Sequence, residues 1–266
     1  ELIQEHRVTR TGGATFFAMT LVNAPEFADY DTSSLELFGL GGAGVPPSIV
    51  QQLHGLGWGS SRSYGCTEHP SITMGRLDDP LEKCAFTDGR PQPDVEIRLL
   101  DDDGKDVPPG AEGEVVSRGP DQFLGYMDPA MDAEAFDEGG WFHTGDIGRL
   151  DEDGYLVITD RKKDIIIRGG ENISAREVEE VLTRHPKVQE AAVTPLSDER
   201  YGEKVCAFVL TRDGQKLTLA EVLAHFKAEG VAKQKTPERL ELVAEFPRTL
   251  SGKIQKYLLR RGVEGC

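Results

Sequence analysis

The sequence predicts an α/β layer, then a small β-sheet or β-barrel, and finally a separate α+β domain. Two observations predict this order: the apolar pattern changes character twice, and charge is divided unevenly along the chain. Residues 1–162 hold 12 basic and 30 acidic side chains, whereas residues 163–266 hold 18 basic and 16 acidic ones. The 266 residues, 38% of them hydrophobic, suffice for one large domain or two modest ones with real cores.

The first predicted region spans residues 1–88. It mixes helix-like and strand-like segments with glycine-rich joints, notably GLGGAG at 39–44. This mixture is typical of part of an α/β layer. The region begins in mid-element, without an evident helix cap.

The second predicted region, residues 89–162, carries short strand patterns separated by turns. VEIRLL (95–100) and GEVVSRG (113–119) flank a turn-forming DDDGKDVPPG, and IGRL (147–150) and YLVIT (155–159) flank the Asp153-Gly154 turn. These patterns predict the small sheet or barrel.

The third predicted region, residues 163–266, alternates helices and strands. Ser174 with Glu177, and Thr218 with Glu221, predict capping boxes at the starts of two helices. Apolar residues follow at helical spacing: Val178, Val181 and Leu182 in the first helix, and Val222, Leu223 and Phe226 in the second, which Gly230 ends. Strand-like VQEAAV, VCAFVL and RLELV complete an independent α+β domain.

Composition excludes several classes of protein. The formal net charge of −16 argues against nonspecific binding to nucleic acid or to an anionic membrane. No apolar run approaches the ~20 residues of a membrane span, and the first residues lack the order of a secretory signal. The four cysteines are far apart and follow no metal-ligand spacing. We therefore expect a soluble, cytoplasmic protein with reduced thiols.

The stretch SYGCTE (63–68) is the first candidate for chemistry. The Thr67 hydroxyl can donate to a phosphate, the adjacent Glu68 carboxylate can hold Mg²⁺, and Gly65 lets a flat base approach beside Tyr64. Taken by itself, the stretch is more typical of a loop with a solvated acid.

Two further stretches carry candidate residues. In GGWFHTGD (139–146), Asp146 sits in a predicted turn and could accept both hydroxyls of a ribose, or could merely serve its own backbone. A hairpin would return Arg161 towards Asp146, where it could serve a nucleotide or only form an ion pair. In RTLSGK (248–253), Lys253 could neutralise charge on a transferred phosphorus, or could simply be solvated.

The order of these stretches is more specific than any one of them. YGCTE, GEVVSRGPDQFLGY, GWFHTGD, YLVITDRKKDIIIRGGENIS and RTLSGKIQKYLLR together closely resemble the adenylate-forming superfamily, and within it the AMP-dependent acyl-CoA synthetases. The resemblance spans essentially the whole chain. Members also carry an upstream loop that grips the ATP phosphates, which has no counterpart here. The resemblance therefore implies the C-terminal half of a ligase, with little activity without its missing N-terminal half.

The resemblance also implies roles for particular residues in the first half-reaction. A substrate carboxylate attacks the α-phosphorus of ATP, and Lys253 bridges carboxylate and phosphate. Thr67 contacts phosphate and Glu68 binds Mg²⁺. The remaining residues that would contact the nucleotide are Gly42, Ala43, Tyr64, Asp146, Ile158 and Arg161.

In the second half-reaction, the resemblance implies a rotation of the small domain about Lys163. Arg168, Gly169 and Gly170 would then face the active site and line the passage for coenzyme A. The residues implied for the acyl pocket are Phe16, Phe17, Gly41 and Gly65. On a strand, one of the two phenylalanines would face the core. We expect a medium-sized apolar carboxylic acid as the substrate.

Three alternatives stay open from the sequence. The ligase could load a carrier-protein pantetheine instead of free coenzyme A. The chain could be a noncatalytic relative that keeps the nucleotide half-site and associates with another chain. A luciferase-like oxygenase shares the motifs, although nothing here favours one. A homodimer also remains open.

Overall fold

A computed structural model of the protein describes residues 1–42, 44–249 and 252–264. The chain divides into two compact units, Glu1–Ile158 and Thr159–Cys266. The division predicted from charge falls after residue 162, a few residues further along the chain. Among the described residues, no helix has the length and apolar character needed to cross a membrane.

The first unit begins with a five-stranded sheet in the order β1-β2-β3-β4-β5. Its first three strands are parallel and the last two run antiparallel. The strands are β1 (Arg10–Ala14), β2 (Leu37–Gly41), β3 (Gly59–Tyr64), β4 (Thr73–Met74) and β5 (Arg90–Pro91). The helices are α1 (Leu2–His6), α2 (Thr15–Val22), α3 (Pro47–Gly55) and α4 (Leu81–Phe86), with a 3-10 turn at Phe27–Asp29.

Parallel strands need a crossover, and helices supply it here. Helix α2 lies between β1 and β2, and α3 lies between β2 and β3. The buried faces of the helices and strands form one apolar cluster: Ala18, Leu35, Phe38, Leu40, Val45, Ile49, Val50, Leu53, Trp58, Cys84 and Ala85. This arrangement confirms the predicted α/β layer.

The second sheet has four strands in the linear order β6-β7-β8-β9. They are β6 (Glu96–Leu100), β7 (Gly113–Arg118), β8 (Phe142–Leu150) and β9 (Leu156–Arg161). A 3-10 turn at Pro129–Met131 and helix α5 (Asp132–Ala135) precede β8. The described strands form an open sheet. The prediction of a small sheet is therefore correct, and the alternative prediction of a barrel is wrong. β8 and β9 are neighbours, as the Asp153-Gly154 hairpin predicts.

The second unit has a sheet ordered β11-β10-β13-β12, with β14 parallel to β13. Its strands are β10 (Ile166–Arg168), β11 (Glu171–Ile173), β12 (Val188–Asp198), β13 (Gly202–Thr211) and β14 (Arg239–Leu242). Its helices are α6 (Ala175–Thr183), α7 (Leu219–Ala228) and α8 (Lys256–Glu264). Single 3-10 turns lie at Lys162–Asp164, Arg212–Gly214 and Lys233–Lys235. The predicted α+β composition is confirmed.

The two predicted helix caps differ in the structure. The Thr218–Glu221 capping box is complete at the start of α7. Ser174 caps α6 by accepting a hydrogen bond from the Glu177 N–H at 3.0 Å, but the Glu177 carboxylate binds Lys235 at 2.7 and 2.9 Å. The second half of that predicted box is therefore wrong, because a cation from elsewhere in the unit competes for the carboxylate.

Candidate active site

Tyr64 and Asp146 meet in the first unit, although they lie 82 positions apart in the sequence. Tyr64 ends β3, and its hydroxyl donates a hydrogen bond of 2.8 Å to Asp146 Oδ2. Asp146 is only 4% exposed, so its carboxylate is held in place within a largely dry environment. Two sequence-predicted nucleotide residues thus share one site.

The strand β8 bends where it presents Asp146. Its register with β7 shifts between Glu114 and Val116, and Gly145 in the extra segment has φ of +69°. Thr144 fixes this bulge, because its hydroxyl donates to the Val115 carbonyl at 2.7 Å and accepts from the Asp146 N–H at 3.1 Å. Bulges re-aim side chains in this way. The predicted turn at Asp146 is therefore wrong: the residue lies inside a strand, at a bulge.

Burial and the neighbouring charge of Asp146 raise the pKa of the Tyr64 phenol. The phenol therefore stays protonated at neutral pH and acts as a donor to the carboxylate. The ring of Tyr64 also packs, together with Ile158, against a small buried cluster made of Leu99, Val115 and Leu156. Tyr64 thus joins the first sheet to the second.

Ile158 is placed by a buried ion pair that sequence analysis does not anticipate. The Arg62 guanidinium donates to Asp88 Oδ1 at 2.7 and 2.9 Å, while Asp88 Oδ2 accepts from the Ile158 N–H at 2.9 Å. Both partners of the pair are less than 9% exposed. Asp88 therefore fixes the path of β9 beside Tyr64.

Thr67 and Glu68 lie on the loop after β3. Thr67 is exposed, and Glu68 is half-buried. The Tyr126 hydroxyl donates to Glu68 Oε1 at 2.9 Å, and the Phe123 N–H donates to the Glu68 carbonyl at 2.7 Å. The loop that contains FLGY (123–126) therefore holds Glu68 from two sides.

The next residue, His69, is fully buried and anchors the same loop. Its Nδ1 lies 2.8 Å from Ser117 Oγ, and its Nε2 lies 3.0 Å from Asp121 Oδ1, an ion-pair distance without hydrogen-bond geometry. Asp121 also accepts hydrogen bonds from Ser71. His69, Asp121 and Tyr126 are not among the site residues predicted from the sequence, although all three stand next to or within the quoted motifs.

The glycines of the site serve different purposes. Gly42 has φ of +77°, and a Cβ built there would meet nothing within 4 Å, so its backbone is open to a flat ligand. A Cβ at Gly41 would lie 2.5 Å from Ser63 Oγ, and a Cβ at Gly65 would overlap the Pro70 carbonyl. The lack of space for a Cβ explains why both of these positions are occupied by glycine. Ala43, expected beside adenine, lies outside the described residues.

The expectation that Phe16 or Phe17 lies on a strand is wrong. Both lie in helix α2, at 61% and 54% exposure, and their rings contact each other edge to face with centroids 5.9 Å apart. Adjacent residues on a helix are about 100° apart, so the two rings can share a face here. Neither ring belongs to the described core.

Cys66 lies between the candidate site residues Tyr64 and Thr67, so its thiol has to be considered as a nucleophile. Burial raises the pKa of its thiol to about 11. A thiol that is protonated at neutral pH is a poor nucleophile. Cys66 is therefore a weak candidate for a nucleophile at neutral pH.

In the second unit, Arg161 and Lys163 are exposed, and Lys163 lies in the 3-10 turn Lys162–Asp164. Gly169 and Gly170 form the two-residue turn between β10 and β11, with φ of +60° and +86°. A Cβ at Gly170 would meet nothing within 4 Å, and a Cβ at Gly169 would meet only Tyr201, at 3.6 Å. Their left-handed backbone therefore explains these glycines at least as well as a ligand passage does.

Arg168 is engaged by protein groups. Its guanidinium donates to both carboxylate oxygens of Glu238, at 2.8 and 2.9 Å, and lies 4.1 Å from the Tyr201 ring centroid. The Glu238 hydrogen bond raises the pKa of Arg168, so the guanidinium remains charged. In this conformation Arg168 supports the hairpin of Gly169 and Gly170.

Lys253 is exposed on a short closed loop. Thr249 closes the loop twice: its N–H donates to the Lys253 carbonyl at 2.9 Å, and its hydroxyl accepts from the Lys253 N–H at 3.1 Å. An isolated bridge pairs Arg248 with Ile254, and Gly252 has φ of +84°. The loop thus holds the Lys253 backbone while its side chain extends into solvent.

The described residues contain no group of three or more His, Cys, Asp or Glu side chains arranged to hold a metal ion. This does not conflict with Mg²⁺ at Glu68, because Mg²⁺ in nucleotide enzymes is bound by one or two carboxylates together with substrate phosphates. One half-buried carboxylate, with Tyr126 on Oε1, suits such a shared site.

Comparisons with known proteins agree on one family. Residues 1–127 match the family model of the AMP-binding enzymes, and residues 177–253 match that of the AMP-binding enzyme C-terminal domain. The chain is 46% identical over 264 residues to a medium-chain fatty-acid–CoA ligase of Escherichia coli, covering 98% of this chain and 47% of that protein.

Two further relatives widen the range of chemistry. The chain is 37% identical to a 2,3-dihydroxybenzoate-AMP ligase of Bacillus subtilis, covering 98% of this chain and 49% of that one. Among solved structures, ATP-bound MatB from Rhodopseudomonas palustris superposes with a TM-score of 0.90 at 31% identity, over 99% of this chain and 52% of that chain. The chain therefore spans about half the length of the relatives that it matches.

Proposed function

This chain belongs to the adenylate-forming AMP-binding enzymes, and from that premise we propose that it supplies the nucleotide and thiol sites of an ATP-dependent carboxylic acid:CoA ligase. The observation that carries the proposal is the 2.8 Å hydrogen bond from Tyr64 to the buried carboxylate of Asp146. It supports a preformed ribose acceptor beside an aromatic ring and the open backbone of Gly42. These residues together with a phosphate-loop-bearing half would make up the complete ligase.

In the proposed first half-reaction, a carboxylate oxygen of the acid attacks the α-phosphorus of ATP, and pyrophosphate leaves. Asp146 accepts the ribose hydroxyls, while Tyr64 and Gly42 flank the adenine. Arg161 is the second residue that we assign to the ribose. The exposed Thr67 hydroxyl donates to a phosphate oxygen. Glu68 would hold Mg²⁺, which neutralises phosphate charge when bound.

Lys253 has the decisive role in this proposal, because its ammonium would bridge the attacking carboxylate and the α-phosphate. Removing one such preorganised contact costs about 10²- to 10³-fold in rate. Lys253→Ala in the complete ligase should therefore slow adenylation by this factor and spare thioester formation from added acyl-adenylate. Pyrophosphate release and thioester formation are measured separately. An unimpaired rate of pyrophosphate release would remove Lys253 from the reaction.

In the proposed second half-reaction, the coenzyme A thiol attacks the acyl carbonyl, and AMP leaves. One site cannot hold the Lys253 ammonium and the thiol at the same place, so the second unit would turn about Lys163 between the two steps. Gly169 and Gly170 would then border the pantetheine passage. Cys66, with its raised pKa, does not compete as the acceptor thiol.

The substrate we propose is a medium-sized apolar carboxylic acid. The relative at 46% identity is named for medium-chain fatty acids, and the exposed pair Phe16 and Phe17 offers apolar surface on α2. A panel of fatty, cyclic and aromatic acids should be offered to the complete ligase, with hydroxylamine to trap the adenylate. If hydroxylamine trapped the adenylates of short polar acids only, this assignment would be contradicted.

A second candidate is a ligase that delivers its adenylate to a carrier protein. The relative at 37% identity favours it, because that relative is named a 2,3-dihydroxybenzoate-AMP ligase, a name that does not mention coenzyme A. Release of AMP that depends on free coenzyme A would support the first candidate, whereas release that needs a pantetheinylated carrier would support the second.

We propose that the protein is located in the cytoplasm, where thiols remain reduced. The three described cysteines, Cys66, Cys84 and Cys206, are free. A thiol titration of the denatured, unreduced protein should count all four cysteines of the sequence, and a lower count would contradict this location.

A further inference from the structure

Lys256 is the first residue of α8 and lies three positions after Lys253. Its ammonium lies 2.8 Å from Glu179 Oε1 on α6 and 3.7 Å from Asp164 Oδ2 in the 3-10 turn beside Lys163. The three side chains are only 20–24% exposed. One half-buried cation therefore contacts both helix α6 and the turn that contains Lys163, the proposed hinge.

Glu179 is itself fixed, because its Oε1 accepts a hydrogen bond of 2.7 Å from the Val193 N–H of β12. Burial raises the pKa of Glu179, whereas Lys256 lowers it, and the nearby negative charge of Asp160 opposes that lowering. Asp160 Oδ2 is buried and finds no hydrogen-bond partner among the residues that the structure describes. The ammonium of Lys256 therefore offsets three acidic groups at once, namely Asp160, Asp164 and Glu179.

The loop of Lys253 depends on the same end of α8. Besides the two hydrogen bonds of Thr249, the Gln255 N–H donates to the Pro247 carbonyl at 2.8 Å, so the described residues 247–249 and 252–255 pair with each other as a hairpin whose base adjoins Lys256. Arg248 ties the other strand of this hairpin to Glu190 of β12. The hairpin is thus anchored to β12 on one side by Arg248, and on the other side by Lys256 through Glu179.

We propose that Lys256 is a positioning residue that orients the Lys253 loop by fixing the start of α8 to Glu179 and to the turn beside Lys163. This inference rests on the proposed role of Lys253. Displacing a reacting group by about 1 Å can cost about 10²-fold in rate. Loss of the anchor therefore slows adenylation without touching any group that contacts the nucleotide.

The fold does not need Lys256 for the attachment of α8. Leu259 of this helix is 8% exposed and packs in an apolar cluster with Ala192, Leu196, Cys206, Phe208 and Phe246. A Lys256→Met variant keeps most of the unbranched side chain and removes its charge. The second unit also offers a matched control, Lys235→Met, because Lys235 binds Glu177 on the same helix, at 2.7 and 2.9 Å.

The kinetic test uses the complete ligase. Lys256→Met should lower kcat for pyrophosphate release about 10- to 100-fold, with KM for ATP and thioester formation from added acyl-adenylate within about threefold of the wild type, as expected when only a transition-state contact is lost. Lys256→Arg should recover most of the rate. Lys235→Met should leave both steps unchanged, although it also removes a Lys–Glu pair.

The structural test uses the 266-residue chain. Amide hydrogen exchange at Thr249 and Gly252, which donate to carbonyls inside the loop, should speed up in Lys256→Met and not in Lys235→Met. If Lys256→Met does not fold, Glu179→Gln serves instead, since its amide oxygen can still accept from Val193. It should reproduce the loss of adenylation.

The outcomes separate the inference from the proposal beneath it. If Lys253→Ala cripples adenylation while Lys256→Met adenylates like Lys235→Met, the positioning role is wrong and the proposed function stands. If Lys253→Ala leaves adenylation intact, the proposed function fails first. Equal loss of both half-reactions in Lys256→Met would indicate general destabilisation and would also overturn the inference.

Discussion

Removal of one oxygen atom, in Tyr64→Phe, separates the two roles of the aromatic residue at the candidate nucleotide site. The variant keeps the ring that packs with Ile158 and loses the hydroxyl that donates to Asp146 Oδ2 at 2.8 Å. The buried carboxylate loses a donor that fixes its orientation. We therefore expect weaker AMP binding with unchanged stacking of the base.

The magnitude follows from the contact. A hydrogen bond to a charged group contributes about 1.5–3 kcal/mol to stability, so the free energy of unfolding should fall by an amount in this range. Restoring order to a released side chain on binding costs about 0.5–1.5 kcal/mol. At 1.4 kcal/mol per tenfold, the Kd for AMP should rise about 2- to 10-fold.

The chain provides a matched control in Tyr155→Phe. The Tyr155 hydroxyl donates to the buried carboxylate of Asp79 at 2.6 Å, in the same unit but outside the candidate site. Both variants should lose similar free energy of unfolding in urea titrations. Only Tyr64→Phe should weaken the binding of AMP, as measured by calorimetric titrations of the complete ligase. Equal AMP affinity in Tyr64→Phe and the wild type, or equal weakening in both variants, would refute the reasoning.

Three further predictions concern the second unit. Lys163→Pro fixes the φ angle of residue 163 near the value that a 3-10 turn already has, and so opposes the proposed rotation that follows adenylation. It should therefore slow thioester formation much more than adenylation, and equal slowing of the two steps would argue against a hinge. Gly170→Ala should lower the free energy of unfolding by about 1–2 kcal/mol in urea titrations, because its φ of +86° disfavours any Cβ although the space is open; an unchanged value would contradict this. Burial, and then the neighbouring His225, lower the pKa of His185 below its ordinary 6.5. The unfolded chain therefore binds a proton first as pH falls through about 6.5, and stability should drop below that pH. His185→Asn should reduce this drop in urea titrations at pH 7.5 and 5.5, and an identical drop in the variant would exclude His185.

Several elements of the fold were predictable because their cause is local. Thr218 and Glu221 are close enough in sequence to satisfy each other, so the capping box of α7 forms as expected. Gly230 has φ of +72° and ends that helix. The strand-like stretches VQEAAV and VCAFVL likewise form β12 and β13, whose Val193 and Val205 lie in the core of the second unit.

Where prediction failed, a distant partner decided the outcome. The carboxylate of Glu177 binds Lys235, 58 positions away, instead of its own helix start. Asp146 lies at a bulge and not in a turn, because Thr144 binds the neighbouring strand at Val115. The helix at Phe16 reflects the crossover that two parallel strands require, which a short apolar run cannot reveal.

The amino-acid sequence by itself determined the family, the type of most helices and strands, and the residues that carry the proposed chemistry, because motifs and periodicity are written within short windows of the chain. Only the tertiary structure decided that Tyr64 donates to Asp146, that His69 and Tyr126 hold the loop of Glu68, and that Lys256 pairs with Glu179. Such contacts join residues far apart in sequence, and their geometry depends on how whole sheets and helices pack, which no local pattern encodes.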